Sequence, residues 1–81
     1  MTEFMAGLNK VTNHFGLNTT VYSEPQSTFV CVMDDDIITM SFEPYIHQWN
    51  ASIAFAKKSN LGGGWDYNPV KLLEKLGYRP C

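Results

Sequence analysis

The chain predicts an α+β fold with an N-terminal helix, an antiparallel β-meander of three to four strands and a short C-terminal helix. Three observations predict it. Large apolar residues recur at helical spacing over the first fifteen positions, the period drops to two from residue 19 to 42, and a capped apolar segment of helical length closes the chain. With 81 residues, one hydrophobic core is all the chain can build, so residues 1–81 are expected to form a single compact domain. An apolar fraction of 44% with 17% charged residues is enough to drive folding, since disordered chains combine few large apolar residues with high net charge.

The first element rests on Phe4, Met5, Leu8, Val11 and Phe15, which line one helical face. Thr2 can cap its start, Glu3 suits the first turn, and Gly16 followed by Leu17 reads as a left-handed C-terminal cap with its apolar contact. From Thr19 onward β-branched and aromatic residues dominate. A short strand at 19–23 leads to a turn at Glu24-Pro25-Gln26-Ser27, after which Phe29, Cys31 and Met33 alternate with Val30 and Val32. Asp34-Asp35-Asp36 makes a tight reversal into Ile38, Met40 and Phe42, pairing these two strands as a hairpin. Residues 45–58 fit either a strand or a helix. Trp49, Ala51, Ile53 and Phe55 alternate, which favours the strand, although Trp49, Ile53 and Ala56 share a helical face.

The segment 57–68, holding Gly62-Gly63-Gly64, is expected to be a flexible loop, because consecutive glycines have little strand or helix propensity. In the last helix Asn68 is the N-cap and Pro69 the first helical residue. Val70, Leu73 and Leu76 form the apolar stripe, and Gly77 with Pro80 ends it.

Net charge is only −2, which disfavours a polyphosphate binder and a strongly acidic mimic of DNA alike. Its distribution is uneven. Between residues 11 and 56 lie five acids (Glu24, Asp34, Asp35, Asp36, Glu43) and no Lys or Arg, whereas residues 57–81 hold five bases against Asp66 and Glu74. The two cysteines, Cys31 and Cys81, match neither a disulfide framework nor a zinc pattern, so reduced thiols and a cytoplasmic location are expected. No run of 18 apolar residues is present, and a membrane partner is not expected.

Motifs for chemistry are sparse. The aspartate triplet lacks the alternation, glycine and distal glutamate of a calcium loop. The glycine run is not followed by the Gly-Lys-Ser/Thr of a nucleotide-binding loop. His14, near a helix C-terminus, has a structural explanation. His47 could pair with Cys31, but Cys31 sits where a packed strand residue belongs, and a reactive thiolate needs an accessible, polar site. No metal or cofactor is therefore expected, and the chain is read as non-enzymatic.

The expected function is binding of another protein. Compact chains of this kind include viral and mobile-element inhibitors of host enzymes or defence complexes, of the anti-CRISPR or anti-restriction type, which act by occlusion; a viral chain would work in the host cytoplasm. The expected partner is a host or cognate protein with a basic surface, with a homodimer also allowed. The expected contact residues are Asp34, Asp35 and Asp36, which charge-assisted hydrogen bonds could engage, and Lys57, Lys58, Trp65, Asp66 and Tyr67, where aromatic and charged side chains gather. Two alternatives stand beside this. Helix, three strands, helix is also the order of double-stranded-RNA-binding domains, but the glycine-rich turn leading into a lysine-bearing helix start is missing here. The other is a small enzyme or subunit using His47.

Overall fold

A computed structural model of the chain describes residues 2–18, 20–54 and 61–80. Helix α1 (Glu3–Phe15) is followed by strands β1 (Val21–Ser23), β2 (Thr28–Met33), β3 (Asp36–Glu43), β4 (Gln48–Ala54) and β5 (Gly63–Asp66), then helix α2 (Pro69–Lys75). The strands form one antiparallel sheet in the order β1-β2-β3-β4-β5, so every strand neighbours its predecessor. The α+β order matches the sequence expectation, with five strands instead of three to four.

The caps of α1 are those the sequence marks. The Thr2 hydroxyl accepts from the Met5 amide at 3.1 Å, and Gly16 takes the left-handed conformation at φ 66°. Phe4, Leu8, Val11 and Phe15 are buried against the sheet, as their spacing requires. Alternation likewise sends Phe29, Cys31, Met33, Ile38, Met40, Phe42, Trp49, Ala51 and Ile53 to that same covered face. Residues 48–54 are therefore strand; Phe55 and Ala56 lie outside the described residues.

Trp49 organises one end of this core. Its ring lies 5.9 Å from Phe4, 6.0 Å from Phe29 and 5.0 Å from Phe42, within the range where aromatic pairs attract beyond simple burial. Gly7 of α1 faces it so closely that a Cβ there would stand 2.2 Å from Trp49 Cζ2, so glycine sets the distance between helix and sheet.

Gly63–Asp66 forms β5, which corrects the expectation of a loop throughout 57–68. The glycines fit an edge strand here because of close approach: a Cβ on Gly63 would lie 2.3 Å from the Ala51 carbonyl oxygen, whereas bare backbone can lie alongside β4. Residues 57–60, with Lys57 and Lys58, lie outside the described residues. In α2, Asn68 Oδ1 accepts from the Val70 and Lys71 amides at 2.9 and 3.2 Å, as an N-cap should. Its buried stripe is Leu72, Leu73 and Leu76, with Val70 only partly covered, so the helix turns Leu72 inward where the spacing read Val70.

Both helices pack on one face of the sheet, and the other face is open. Val21, Val30, Val32 and Ile37 stand exposed there beside Thr39, Ser41, Asn50 and Ser52, and among the described strand residues of this face Glu43 is the charge. Among the described residues no helix is long and apolar enough to cross a membrane.

Candidate functional site

The three aspartates separate on folding. Asp34 and Asp35 are the two central residues of the β2–β3 hairpin, both exposed and both left-handed, at φ 52° and 68°, the pattern of a type I′ turn. Asp36 is fully buried, with 0% of its surface exposed, and its Oδ2 accepts a 2.7 Å hydrogen bond from the Tyr78 hydroxyl. It therefore cannot serve as a contact residue, which corrects the expectation for the triplet. Asp36 precedes Ile38, Met40 and Phe42 in the inward register of β3, and the pleat carries it inside. Tyr78 is buried too. Its phenol is pushed well above its ordinary value by burial first and by the hydrogen bond to Asp36 second.

At the far edge of the sheet Trp65, Asp66 and Tyr67 do gather. Trp65 is 49% exposed, its ring meets the Tyr67 ring edge-on at 5.4 Å, and Lys75 Nζ lies 5.8 Å from the Trp65 ring centroid. The same ammonium donates to the Trp65 carbonyl at 2.7 Å and to Asp66 Oδ2 at 3.5 Å. The Asp66 carboxyl is held below the usual range, chiefly by the Asn68 amide at 2.9 Å, with burial opposing and Lys75 adding to the shift. Much of this cluster's polar capacity is thus spent on tying β5 to α2.

The thiol of Cys31 is packed in β2 and burial pushes its pKa up to about 11, so it offers no thiolate near neutral pH. His14 Nε2 lies 3.2 Å from Glu74 Oε2, linking the two helices. Among the described residues no three His, Cys, Asp or Glu side chains are placed to hold a metal ion.

Sequence reasoning missed the surface where two sheet loops meet the start of α1. The β1–β2 loop (24–27) and the β3–β4 loop (44–47) lie at the same end of the sheet as the N-terminus of α1. Both are four residues long and both end on a left-handed residue that is not glycine, Ser27 at φ 51° and His47 at φ 52°. Such conformations persist only where surrounding contacts impose them. The Ser27 carbonyl accepts the Phe42 amide at 2.8 Å, and His47 Nδ1 lies 2.8 Å from Glu3 Oε1.

Between these parts runs a groove of about 280 Å³. Phe4, Phe42 and Pro44 supply its apolar lining, Thr2, Ser27 and His47 its neutral polar groups, and Glu3 and Glu24 two carboxylates, with no Lys or Arg among the lining residues. Next to it the loop turns Tyr45, 94% exposed, and Ile46, 53% exposed, into solvent. The available signal was the tetrapeptide Pro44-Tyr45-Ile46-His47, a turn carrying large apolar side chains where turns ordinarily carry small polar ones.

Comparison with protein-family models, curated proteins and solved structures finds no match to this chain.

Proposed function

We propose that this chain is a non-enzymatic module that binds another protein through the end of the sheet built by the β1–β2 and β3–β4 loops, and that the partner presents a basic surface there. The observation that carries this reading is the loop 44–47: Tyr45 and Ile46 stand exposed side by side, next to an aromatic-floored groove whose described lining holds the carboxylates of Glu3 and Glu24 and no Lys or Arg. Tyrosine is prominent among the residues that dominate interface energies. Carboxylates at the rim speed encounter with a basic partner and discriminate against an acidic one. The non-enzymatic part is supported by the buried thiol of Cys31 and by the placement of His47 on an exposed loop, bonded to Glu3. Binding then acts by occlusion, covering a working surface of the partner.

Capture of a partner from lysate of the source cell, by immobilised wild-type chain and by variants, tests this reading. One dominant basic protein is expected with the wild type and with Asp34→Lys/Asp35→Lys, and its recovery should drop at least about tenfold with Tyr45→Ser/Ile46→Ser. Equal capture by the Tyr45/Ile46 variant, with unchanged circular dichroism, overturns the assignment.

A further inference from the structure

We infer that the groove beside Tyr45 is the seat of a single arginine side chain from the partner, flanked in the partner's sequence by apolar residues; this rests on the protein-binding reading above. Size argues first. At about 280 Å³ the groove falls just short of the ~300–1,000 Å³ typical of small-molecule sites, which suits one long side chain. Composition argues next. Phe4, Phe42 and Pro44 offer apolar surface to an aliphatic stem, and the groove presents acceptors at its polar positions.

Those acceptors come from separate elements. Glu3 stands on the first turn of α1 with Oε1 engaged by His47, and no described group bonds its second oxygen. Glu24 opens the β1–β2 loop, and its carboxylate has no hydrogen-bond partner among the described residues. Ser27 adds a hydroxyl. Acceptors spread over two elements match the planar guanidinium, which holds five donors in a fixed fork, better than a lysine ammonium, which acts as a point charge. Guanidinium also stacks against rings, and Phe42 and His47 lie here with centroids 6.4 Å apart and their planes tilted by 55°.

The site is held ready. His47 is fixed by Glu3 despite its left-handed backbone, Ser27 is tied through its carbonyl to Phe42, and the groove floor belongs to the Trp49 aromatic cluster. A preorganised pocket loses little conformational freedom when it is filled. Tyr45 and Ile46 then meet the apolar neighbours of the arginine.

A titration of the isotope-labelled full chain, followed by amide chemical shifts, tests the assignment with the probe peptide acetyl-Leu-Arg-Phe-amide and its citrulline and lysine counterparts. Citrulline keeps the shape of arginine and lacks its charge. Saturable shifts at Glu3, Ser27, Phe42 and His47 are expected with the arginine peptide, with affinity at least about tenfold lower for citrulline and lower again than arginine for lysine. Glu24→Gln, which removes no described hydrogen bond, should weaken the arginine peptide and leave the citrulline peptide unchanged. Equal affinity for arginine and citrulline, equal affinity for arginine and lysine, or shifts centred on Asp34 and Asp35 each overturn it. If partner capture still depends on Tyr45 and Ile46 while the groove ignores arginine, this inference alone fails. If capture ignores Tyr45 and Ile46, the protein-binding reading fails with it.

Discussion

The hairpin turn at Asp34-Asp35 and the loop at Pro44–His47 lie at opposite ends of β3, and they invert what their residues advertise. The aspartates look like a charged contact surface, yet the run's last member is buried and holds the C-terminal segment through Tyr78. The other loop has the apolar residues of a packed segment, yet Tyr45 and Ile46 are exposed and its histidine is clamped to α1. The end that carries the aspartate run is the one with a buried carboxylate holding the fold, and the end with exposed apolar side chains is the one proposed to bind. The reason is that a side chain's fate is set by strand register, and register assigns Asp36 to the covered face regardless of its charge.

The largest expected effect breaks the structural end. Asp36→Ala leaves the buried Tyr78 hydroxyl without its acceptor and opens space in the core, so it should cost about 3 kcal/mol in chemical denaturation. Tyr78→Phe removes the donor only and should cost about 2 kcal/mol, because a buried carboxyl group loses one of its hydrogen-bond donors. Loss below about 0.5 kcal/mol in either variant would show that the contact contributes little, and the contrast between the two ends would fall.

Tyr78, together with Cys31, sets an alkaline limit. Tyr78 and Cys31 both hold their protons more tightly in the folded chain than in the unfolded one. Above the ordinary thiol range near ~8.5 and the phenol range near ~10, the unfolded chain therefore binds fewer protons, and stability falls as pH rises. Denaturation from pH 8 to 11 should show that fall in the wild type and a shallower one above pH ~10 in Tyr78→Phe, because the phenol no longer titrates there. Identical slopes would mean that Tyr78 ionises as freely folded as unfolded.

How much of this was legible follows from sequence distance. Helix α1 could be read from Phe4, Leu8, Val11 and Phe15 with Thr2 and Gly16 at its ends, because capping and helical spacing are local. The β2–β3 hairpin and the strand character of Trp49, Ala51 and Ile53 were equally plain from alternation. Strand β5 was not, since the close Ala51 carbonyl that leaves no room for a side chain at Gly63 is a contact with no local trace. Asp36 was half legible: the alternation that places Ile38 and Met40 inside also places Asp36 inside, but its partner Tyr78 lies 42 residues away. The groove was least legible, because Glu3, Glu24 and His47 come from three elements that meet only through the sheet.

The smallest expected effects sharpen the comparison by imposing one backbone change on both ends. Asp35 and His47 share a left-handed conformation, at φ 68° and 52°, which glycine adopts without steric penalty. Asp35→Gly should therefore raise stability by roughly 0.5–1 kcal/mol, a rise in melting temperature without loss of partner capture, since the Asp35 carboxylate has no hydrogen-bond partner among the described residues. His47→Gly relieves the same strain but also deletes the exposed bond to Glu3, worth at most about 1 kcal/mol, so its net stability change should stay near zero. What should move is binding: without the imidazole, Glu3 is no longer held at the groove rim, and partner capture should weaken in His47→Gly alone. If both glycine variants gain stability equally and bind equally, the His47–Glu3 contact organises nothing, and the loop 44–47 is a turn of the same kind as Asp34-Asp35.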